Sequence, residues 1–180
     1  MRYRRAGVAG GTYFFTVNLA ERKRTLLLDH VDVLREVMKG VKLAHPFHID
    51  AMVLLPDHLH ALWTLPVDDR DYPMRWMLIK ASFSRQLPKG ERRSKSRVAK
   101  GEWGIWQRRY WEHLIRDDCD FERHVDYIHY NPVKHGYVQR VADWPWSSFH
   151  RYVRQDVLPA DWAGSSGMDG DGEHSFGECQ

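Results

Sequence analysis

Apolar and polar residues alternate near the start of the chain and predict a β-strand over residues 11–20. A period of two places alternate side chains on opposite faces of a sheet, so one face is buried and the other can carry polar groups. Thr12, Thr16 and Asn18 fall largely on the polar face. The apolar face is formed by Tyr13, Phe15, Val17 and Leu19.

Two stretches instead repeat their apolar residues at the spacing of an amphipathic helix. The first begins at a candidate N-cap, Asp29, and ends near Pro46. The second begins at Pro73, which suits a first helical turn, and runs towards Leu87. The predicted buried stripes are Leu34, Val37, Met38 and Val41 in the first helix, and Met74, Met77, Leu78 and Ala81 in the second.

Residues 47–55 are almost continuously apolar, as in a central strand covered on both faces, and residues 58–65 form another strand-like run. Pro56 and Asp57 separate the two runs, so we predict that they pair as a hairpin. An aromatic-rich segment over residues 105–115 predicts a fourth strand.

A third helix is predicted to follow a cap at Asp117 or Asp118. Because Pro132 disfavours helical geometry in the residue before it, we expect this helix to end at Asn131. Its predicted core stripe consists of Phe121, Val125 and Ile128.

The order of these elements predicts an α+β fold: a ferredoxin-like βαββαβ antiparallel sheet with an additional C-terminal helix, which carries Tyr127. At 180 residues the chain accommodates one well-buried core, so we expect a single domain over residues 1–155. Within it, residues 88–101 are predicted to form a mobile basic loop. Residues 156–180 are predicted to form an acidic, glycine-rich, disordered tail.

The composition indicates a soluble protein, since 43% of the residues are apolar. No apolar run approaches the roughly twenty residues that span a bilayer. The two cysteines, Cys119 and Cys179, have no metal-type spacing and cannot build a disulfide framework. We therefore expect a cytoplasmic protein that does not contact membranes.

A modest net charge of +3 conceals an uneven distribution along the chain. All 27 lysines and arginines precede Gln155, whereas six of the 24 acidic residues follow it. Residues 1–155 therefore hold 27 basic against 18 acidic residues, a net charge of +9. A basic body matches the phosphate backbone of nucleic acid, although many basic proteins bind none specifically.

Two histidines, His58 and His60, stand two residues apart in the second strand of the predicted hairpin. Strand geometry projects both from one face, where they suit one divalent ion; the alternative is a pair of hydrogen-bonded histidines without a metal. Further along the chain, Tyr127 and Asn131 share one edge of the third helix and supply a phenol and an amide. Together the four residues indicate a nuclease-like site.

Five segments of the chain form a specific, ordered set of motifs. They are Tyr3-Arg4-Arg5 with Tyr13-Phe14-Phe15-Thr16, Met52-Val53-Leu54-Leu55-Pro56-Asp57-His58-Leu59-His60, Trp106-Gln107-Arg108-Arg109-Tyr110-Trp111-Glu112-His113, and Tyr127-Ile128-His129-Tyr130-Asn131-Pro132-Val133-Lys134-His135-Gly136. With these segments the chain resembles the REP-associated tyrosine transposases, relatives of the single-strand insertion-sequence transposases within the HUH endonuclease superfamily. The resemblance covers nearly all of the predicted domain.

The resemblance implies that His58 and His60 are a metal-binding pair and that Tyr127 is the nucleophile. It places Asn131 where related transposases carry a glutamine metal ligand; the shorter amide can hold the ion, a water molecule or the phosphate. The expected ion is Mg²⁺ or Mn²⁺, because imidazole ligands favour Mn²⁺ in affinity and cellular abundance favours Mg²⁺. The implied reaction is cleavage and rejoining of single-stranded DNA through a covalent 5′-phosphotyrosine intermediate.

The substrate implied by the resemblance is a DNA hairpin from a repetitive extragenic palindrome, bound by a monomer or a homodimer. Basic side chains can neutralise its phosphates, and exposed aromatic rings can stack its unpaired bases. The candidate DNA-binding residues are Arg4, Arg5, Lys80, Arg85, Arg92, Arg93, Arg108, Arg109 and Lys134.

Two other classes of function remain open. A catalytically silent module of the same fold could bind hairpin or single-stranded nucleic acid without a metal. A structural zinc site or a small-molecule metalloenzyme would need a third His, Asp or Glu beside His58 and His60, and no clear one accompanies them in sequence. We interpret His113, His124 and His129 as packing or surface histidines, since none repeats the spacing of the strand pair.

Overall fold

The computed structural model describes residues 7–22, 25–88 and 104–164. Within these ranges the strands are β1 Thr12–Asn18, β2 His48–Leu54, β3 His58–Thr64 and β4 Trp111–Leu114. The helices are α1 Leu26–Asp29, α2 Val31–Ala44, α3 Tyr72–Gln86, α4 Asp118–Lys134 and α5 Phe149–Arg154, with a 3₁₀ turn at Val141–Asp143. None of the helices in these ranges is long and apolar enough to cross a membrane.

The strands form one antiparallel sheet in the order β2-β3-β1-β4, which confirms the predicted ferredoxin-like arrangement. β2 and β3 pair as the predicted hairpin, with Leu54 opposite Leu59. β1 lies between β3 and β4, and its Thr16 pairs with His60. This register places a hydroxyl directly beside the second histidine of the pair.

Two layers of helices cover the sheet. α2 and α3 pack on the face that holds Phe15 and Trp63, whereas α4 packs on the opposite face, against Phe14. The alternation predicted for β1 and β3 is therefore confirmed. His58 and His60 lie on the α4 side of the sheet, where a helix can bring chemistry to them.

The first predicted helix is divided into two. α1 ends at Asp29 and α2 begins at Val31, so the prediction that Asp29 caps the long helix is wrong. The carboxylate of Asp29 instead accepts a hydrogen bond from the Thr25 hydroxyl at 2.8 Å. The predicted stripe is buried as expected and consists of Leu34, Val37, Met38 and Val41.

The stripe predicted for α3 is wrong, although the helix itself is confirmed. Met77 is 60% exposed, and the other three members of that stripe are only partly buried. The buried face is centred on Trp76, whose ring stacks on Trp63 with centroids 4.1 Å apart. Arg75 is also buried on this face, because Asp69 and nearby backbone carbonyls accept hydrogen bonds from its guanidinium group.

β4 is shorter than the predicted strand over residues 105–115. Trp106 makes only an isolated bridge with Leu19, and the ladder with β1 begins again at Trp111. After α4 the chain returns to the outer edge of β2, where the Ser148 amide donates to the Met52 carbonyl at 2.8 Å. The aromatic segment around Trp146 therefore packs back on the sheet.

α4 continues past Pro132 to Lys134, so its predicted end at Asn131 is wrong. A proline so close to a helix end removes one backbone hydrogen bond without ending the helix. Gly136, with a φ of 71°, turns the chain, and the amides of Gly136 and Tyr137 donate to carbonyls of the last turn. Asn131 therefore lies inside the helix, where it is buried.

Parts of two predictions lie outside the described residues: the basic loop over residues 88–101, apart from Pro88, and the end of the acidic tail over residues 165–180. Residues 156–164 of the predicted tail are described, and there the Trp162 ring lies 6.1 Å from the Phe149 ring.

Candidate active site

The histidine pair of β3 lies against one face of α4. The ring centroids of His58 and His60 are 5.0 Å apart, and the Tyr127 ring lies 5.1 Å from the His60 ring. His135, which caps the helix, lies 5.3 Å from His58. Tyr127, Asn131 and His135 recur every four residues along the helix. Asn131 therefore lies between these two contacts on the same side of the helix.

Asp57 orients His58. The His58 Nδ1 atom lies 2.7 Å from Oδ1 of Asp57, and Oδ2 of Asp57 accepts a hydrogen bond from Arg22 Nε at 2.8 Å. Burial alone would raise the pKa of Asp57, but the hydrogen bonds from Arg22 and His58 hold it below its ordinary value. With Nδ1–H donated to this carboxylate, the lone pair of His58 Nε2 is available to a cation.

His60 is oriented in the same way by Thr16, whose Oγ1 lies 2.9 Å from His60 Nδ1. The other ring nitrogen, Nε2, is buried and has no hydrogen-bond partner among the described residues. Burial, reinforced by the neighbouring His58, lowers the pKa of His60 well below its ordinary value. The imidazole is therefore neutral, which is the form that binds metal ions.

Asn131 is fully buried, and neither its amide nitrogen nor its amide oxygen has a hydrogen-bond partner within the described part of the chain. Leaving a buried polar group unsatisfied costs roughly 1–3 kcal/mol, so buried amides are normally bonded. An amide oxygen is a ligand for hard divalent ions. Two neutral imidazoles and this amide therefore fit a divalent cation, which would satisfy the orphaned atoms of His60 and Asn131.

Tyr127 is half-buried at the rim of this site. The Lys134 Nζ atom lies 5.3 Å from the centroid of the Tyr127 ring, so the predicted DNA-binding lysine is brought to the predicted nucleophile. Phe14 supports both groups from the sheet, with its ring 5.5 Å from His60 and 5.9 Å from Tyr127. The phenol of Tyr127, the ammonium group of Lys134 and the histidine pair therefore meet at one place.

Among the described basic residues named from sequence, Lys80 and Arg85 lie on the opposite side of the sheet from this site. Lys80 donates to the Gln107 carbonyl at 3.0 Å, and α3 lies across the sheet from α4. Arg85 is exposed on the same helix, and Arg108 and Arg109 are exposed just before β4. The remaining four lie outside the described residues: Arg4, Arg5, Arg92 and Arg93. A role in DNA binding stays a prediction for all of them.

A second cluster was missed by sequence reasoning. Potential ligand atoms of His113, Asp120 and His124 lie within 4.8 Å of one another, so a divalent ion could bind there. The three residues also hydrogen-bond among themselves: Asp120 Oδ2 lies 2.8 Å from His113 Nε2, and His124 Nδ1 lies 2.7 Å from the backbone carbonyl oxygen of Asp120. The available signal was the spacing of Asp120 and His124 by one helical turn.

Asp57 was also missed as a functional residue, since its sequence context indicated only a turn. The signal was its position immediately before His58, because carboxylates commonly orient metal-binding histidines. Thr16 gave a weaker signal, since its pairing with His60 depends on the strand register.

Comparisons with known proteins find close relatives, although no protein-family model matches the chain. The chain is 48% identical over 162 residues to the REP-associated tyrosine transposase of Escherichia coli strain K12, covering 90% of each sequence. It is 50% identical over 164 residues to a Haemophilus influenzae protein that carries the same name provisionally, covering 91% of this chain and 93% of the relative.

One solved structure is similar over nearly the whole molecule. It is a REP-associated tyrosine transposase bound to a REP hairpin, 47% identical in sequence, with a TM-score of 0.79. The similarity covers 91% of this chain and 92% of that one. With sequence identity near one half over nine-tenths of its length, the chain belongs to the family of REP-associated tyrosine transposases.

Proposed function

We propose that this protein cleaves and rejoins single-stranded DNA beside a REP-like hairpin through a covalent bond to Tyr127. The observation that carries this proposal is the 5.1 Å contact between the rings of Tyr127 and His60, together with the buried Nε2 atom of His60, which has no hydrogen-bond partner in the described part of the chain. The hairpin is proposed because the similar solved protein is bound to one. Action on DNA also underlies the proposed cytoplasmic location.

His58, His60 and Asn131 are the proposed ligands of a divalent ion, Mg²⁺ or Mn²⁺. When bound, this ion would polarise the scissile phosphate and offset the charge on its oxygens. The protein's own contribution is to hold both imidazoles neutral and oriented, through Asp57 and Thr16. We favour this site over the His113 cluster because His113 Nε2 is already bonded to the Asp120 carboxylate and His124 Nδ1 to the Asp120 backbone carbonyl.

In the proposed step, the Tyr127 oxygen loses its proton and attacks the phosphorus atom. A bond forms between the Tyr127 oxygen and the phosphorus, which stays on the 5′ side of the break. The bond between the phosphorus and the 3′ oxygen breaks, and that oxygen takes up a proton. The phosphoester energy is conserved in the phosphotyrosine, so another 3′-hydroxyl can reverse the step and rejoin the strand. Lys134 supplies a cation beside the ring of Tyr127.

The proposal is tested by incubating the protein with end-labelled hairpin DNA that carries single-stranded flanks of varied sequence. With Mg²⁺ or Mn²⁺ we expect a labelled band that survives denaturation and migrates with the protein. Chelator, Tyr127→Phe and His60→Ala should each abolish it. Tyr130→Phe is the matched control, because it removes a phenol from the same helix and should leave the band. An adduct that persists in Tyr127→Phe would disprove the assignment.

A monomer is the proposed active unit, because Tyr127 meets His60 within one chain. Mixing Tyr127→Phe with His60→Ala should then restore no adduct. Recovery of the adduct in the mixture would instead indicate that two chains exchange α4.

The second candidate function is a silent module that binds the hairpin without cleaving it. The basic body of the chain favours binding by itself. This module would bind hairpin DNA equally well with and without chelator and would form no adduct with any flanking sequence.

A further inference from the structure

A continuous row of aromatic rings crosses the candidate site. Neighbouring ring centroids in the row are between 5.0 and 5.9 Å apart. The row begins at Trp111, passes through Phe14 to Tyr127 and the histidine pair, and ends at His135 and Tyr137. The proposed nucleophile and metal ligands therefore occupy its middle.

Both ends of the row reach the surface. Trp111 is 38% exposed and Tyr137 is 43% exposed, and they are the aromatic members of the large exposed hydrophobic side chains in the described residues. Large aromatic rings normally bury most of their surface, because this contributes strongly to the stability of a core. Two exposed rings at opposite ends of a candidate active site point to a ligand that covers them.

The fold holds each terminal ring in place before any ligand arrives. Trp111 lies on the edge strand β4, with its ring almost parallel to that of His113, at 4° and 5.8 Å between centroids. Tyr137 follows the turn at Gly136 and lies 5.4 Å from Trp144, at 26°. Rings fixed in this way lose little conformational entropy on binding.

The charges beside the rings identify the ligand. Lys134 precedes Tyr137 in the chain, and the exposed Arg108 and Arg109 precede Trp111. Flat apolar rings flanked by cations match unpaired nucleic-acid bases, which stack on aromatic side chains while their phosphates pair with basic groups. An uncharged peptide or an apolar surface would gain nothing from the flanking cations.

We infer that Trp111 and Tyr137 each stack one unpaired base of the DNA strand, on opposite sides of the phosphate that Tyr127 attacks. This inference rests on the proposed function, since it takes single-stranded DNA as the substrate. The two rings hold the strand across the site, so that the scissile phosphate lies between them. Stacking accepts every base, so the rings fix the position of the strand and not its sequence.

The experiment uses 2-aminopurine, a fluorescent base whose emission falls when it stacks. Hairpin oligonucleotides carry it at one position of the single-stranded flank at a time, and each is mixed with Tyr127→Phe protein in chelator. We expect quenching at two separated positions. In this Tyr127→Phe protein, a second substitution Trp111→Ala should restore emission at one of the two positions. The second substitution Tyr137→Ala should instead restore it at the other. Each change should also weaken binding roughly tenfold, the effect of losing one stacked base.

Three variants serve as controls. Trp111→Phe and Tyr137→Phe keep a ring and should keep most of the quenching. Leu43→Ala removes a side chain that is 85% exposed on α2, across the sheet from α4, and should change neither quenching nor affinity. Thermal unfolding of each variant checks that it is folded.

If both alanine variants are quenched at the same positions as the protein that keeps both rings, the inference is wrong. It is also wrong if both variants lose quenching at the same single position. Because the measurement needs neither the ion nor the Tyr127 hydroxyl, it remains readable if no adduct ever forms. A protein that stacks both bases but makes no adduct would contradict the proposed reaction and support the two stacking rings.

Discussion

Asp57 contacts the Nδ1 side of the His58 ring, with 2.7 Å between Oδ1 of the carboxylate and Nδ1 of the imidazole. The second carboxylate oxygen is held by Arg22, so the anion cannot rotate away from the ring. A carboxylate in this position fixes the tautomer of the histidine and increases its basicity as a ligand. The contact links the hairpin turn directly to the proposed metal site.

Asp57→Asn keeps the shape of the side chain and removes its charge. We expect the affinity for Mn²⁺, measured by titration calorimetry, to fall by about 10- to 100-fold, the usual effect of losing the partner of a metal-bound histidine. Asp143→Asn is the matched control, because Asp143 pairs with Arg140 outside the site. Unchanged affinity in Asp57→Asn would remove Asp57 from the account.

The two candidate metal sites make opposite predictions. His60→Ala should abolish Mn²⁺ binding, whereas Asp120→Asn should leave it intact. Asp120→Asn should instead lower the free energy of unfolding by about 1–3 kcal/mol, because it weakens a buried hydrogen-bond cluster between β4 and α4. Calorimetric titration with Mn²⁺ and urea unfolding measure the two effects. Loss of Mn²⁺ binding in Asp120→Asn alone would place the ion in the cluster.

Lys134→Gln tests the cation beside Tyr127. We expect weaker hairpin binding and a salt dependence of log K that is shallower by about one unit, the effect of losing one phosphate contact. Lys39→Gln removes a lysine whose side chain is 78% exposed on α2 and should alter neither quantity. Equal salt slopes for Lys134→Gln and the unsubstituted protein would contradict a phosphate contact.

His129 predicts a pH dependence of stability. Burial lowers its pKa from 6.5 to about 3 in the folded protein, so between these values the unfolded chain binds more protons. The free energy of unfolding should therefore decrease as the pH falls below 6.5. From pH 7.5 to 5, His129→Gln should reduce this decrease by up to about 2 kcal/mol in urea unfolding. An identical decrease in the variant would assign the acid sensitivity to other groups.

The parts of the site that depend on local geometry could be predicted from the sequence. The period of two in β3 places His58 and His60 on one face, and the period of the helix places Tyr127 and Asn131 on one edge. The hairpin and the order of the elements brought these faces within reach of each other. The structure joins them through the contact of Tyr127 with His60.

The errors arose where a tertiary contact reverses a local preference. Arg75 reads as a surface residue, but Asp69 pairs with it, so it is buried beside the apolar stripe of α3 that contains Trp76 and Phe83. Pro132 reads as a helix end, but the turn at Gly136 satisfies the carbonyls beyond it. Pairing of Asp120 with His113 depends on β4 meeting α4, which no local pattern specifies.

The covalent bond itself is the central claim, and mass spectrometry of the adduct tests it most directly. Trypsin cleaves after Arg123 and Lys134, so residues 124–134 form one peptide, which contains both Tyr127 and Tyr130. After nuclease trimming of the DNA, fragmentation of this peptide locates the remaining nucleotide. The account predicts a nucleotide joined through its 5′-phosphate to Tyr127. A nucleotide on Tyr130, or an unmodified peptide from protein that has cleaved its DNA, would contradict it.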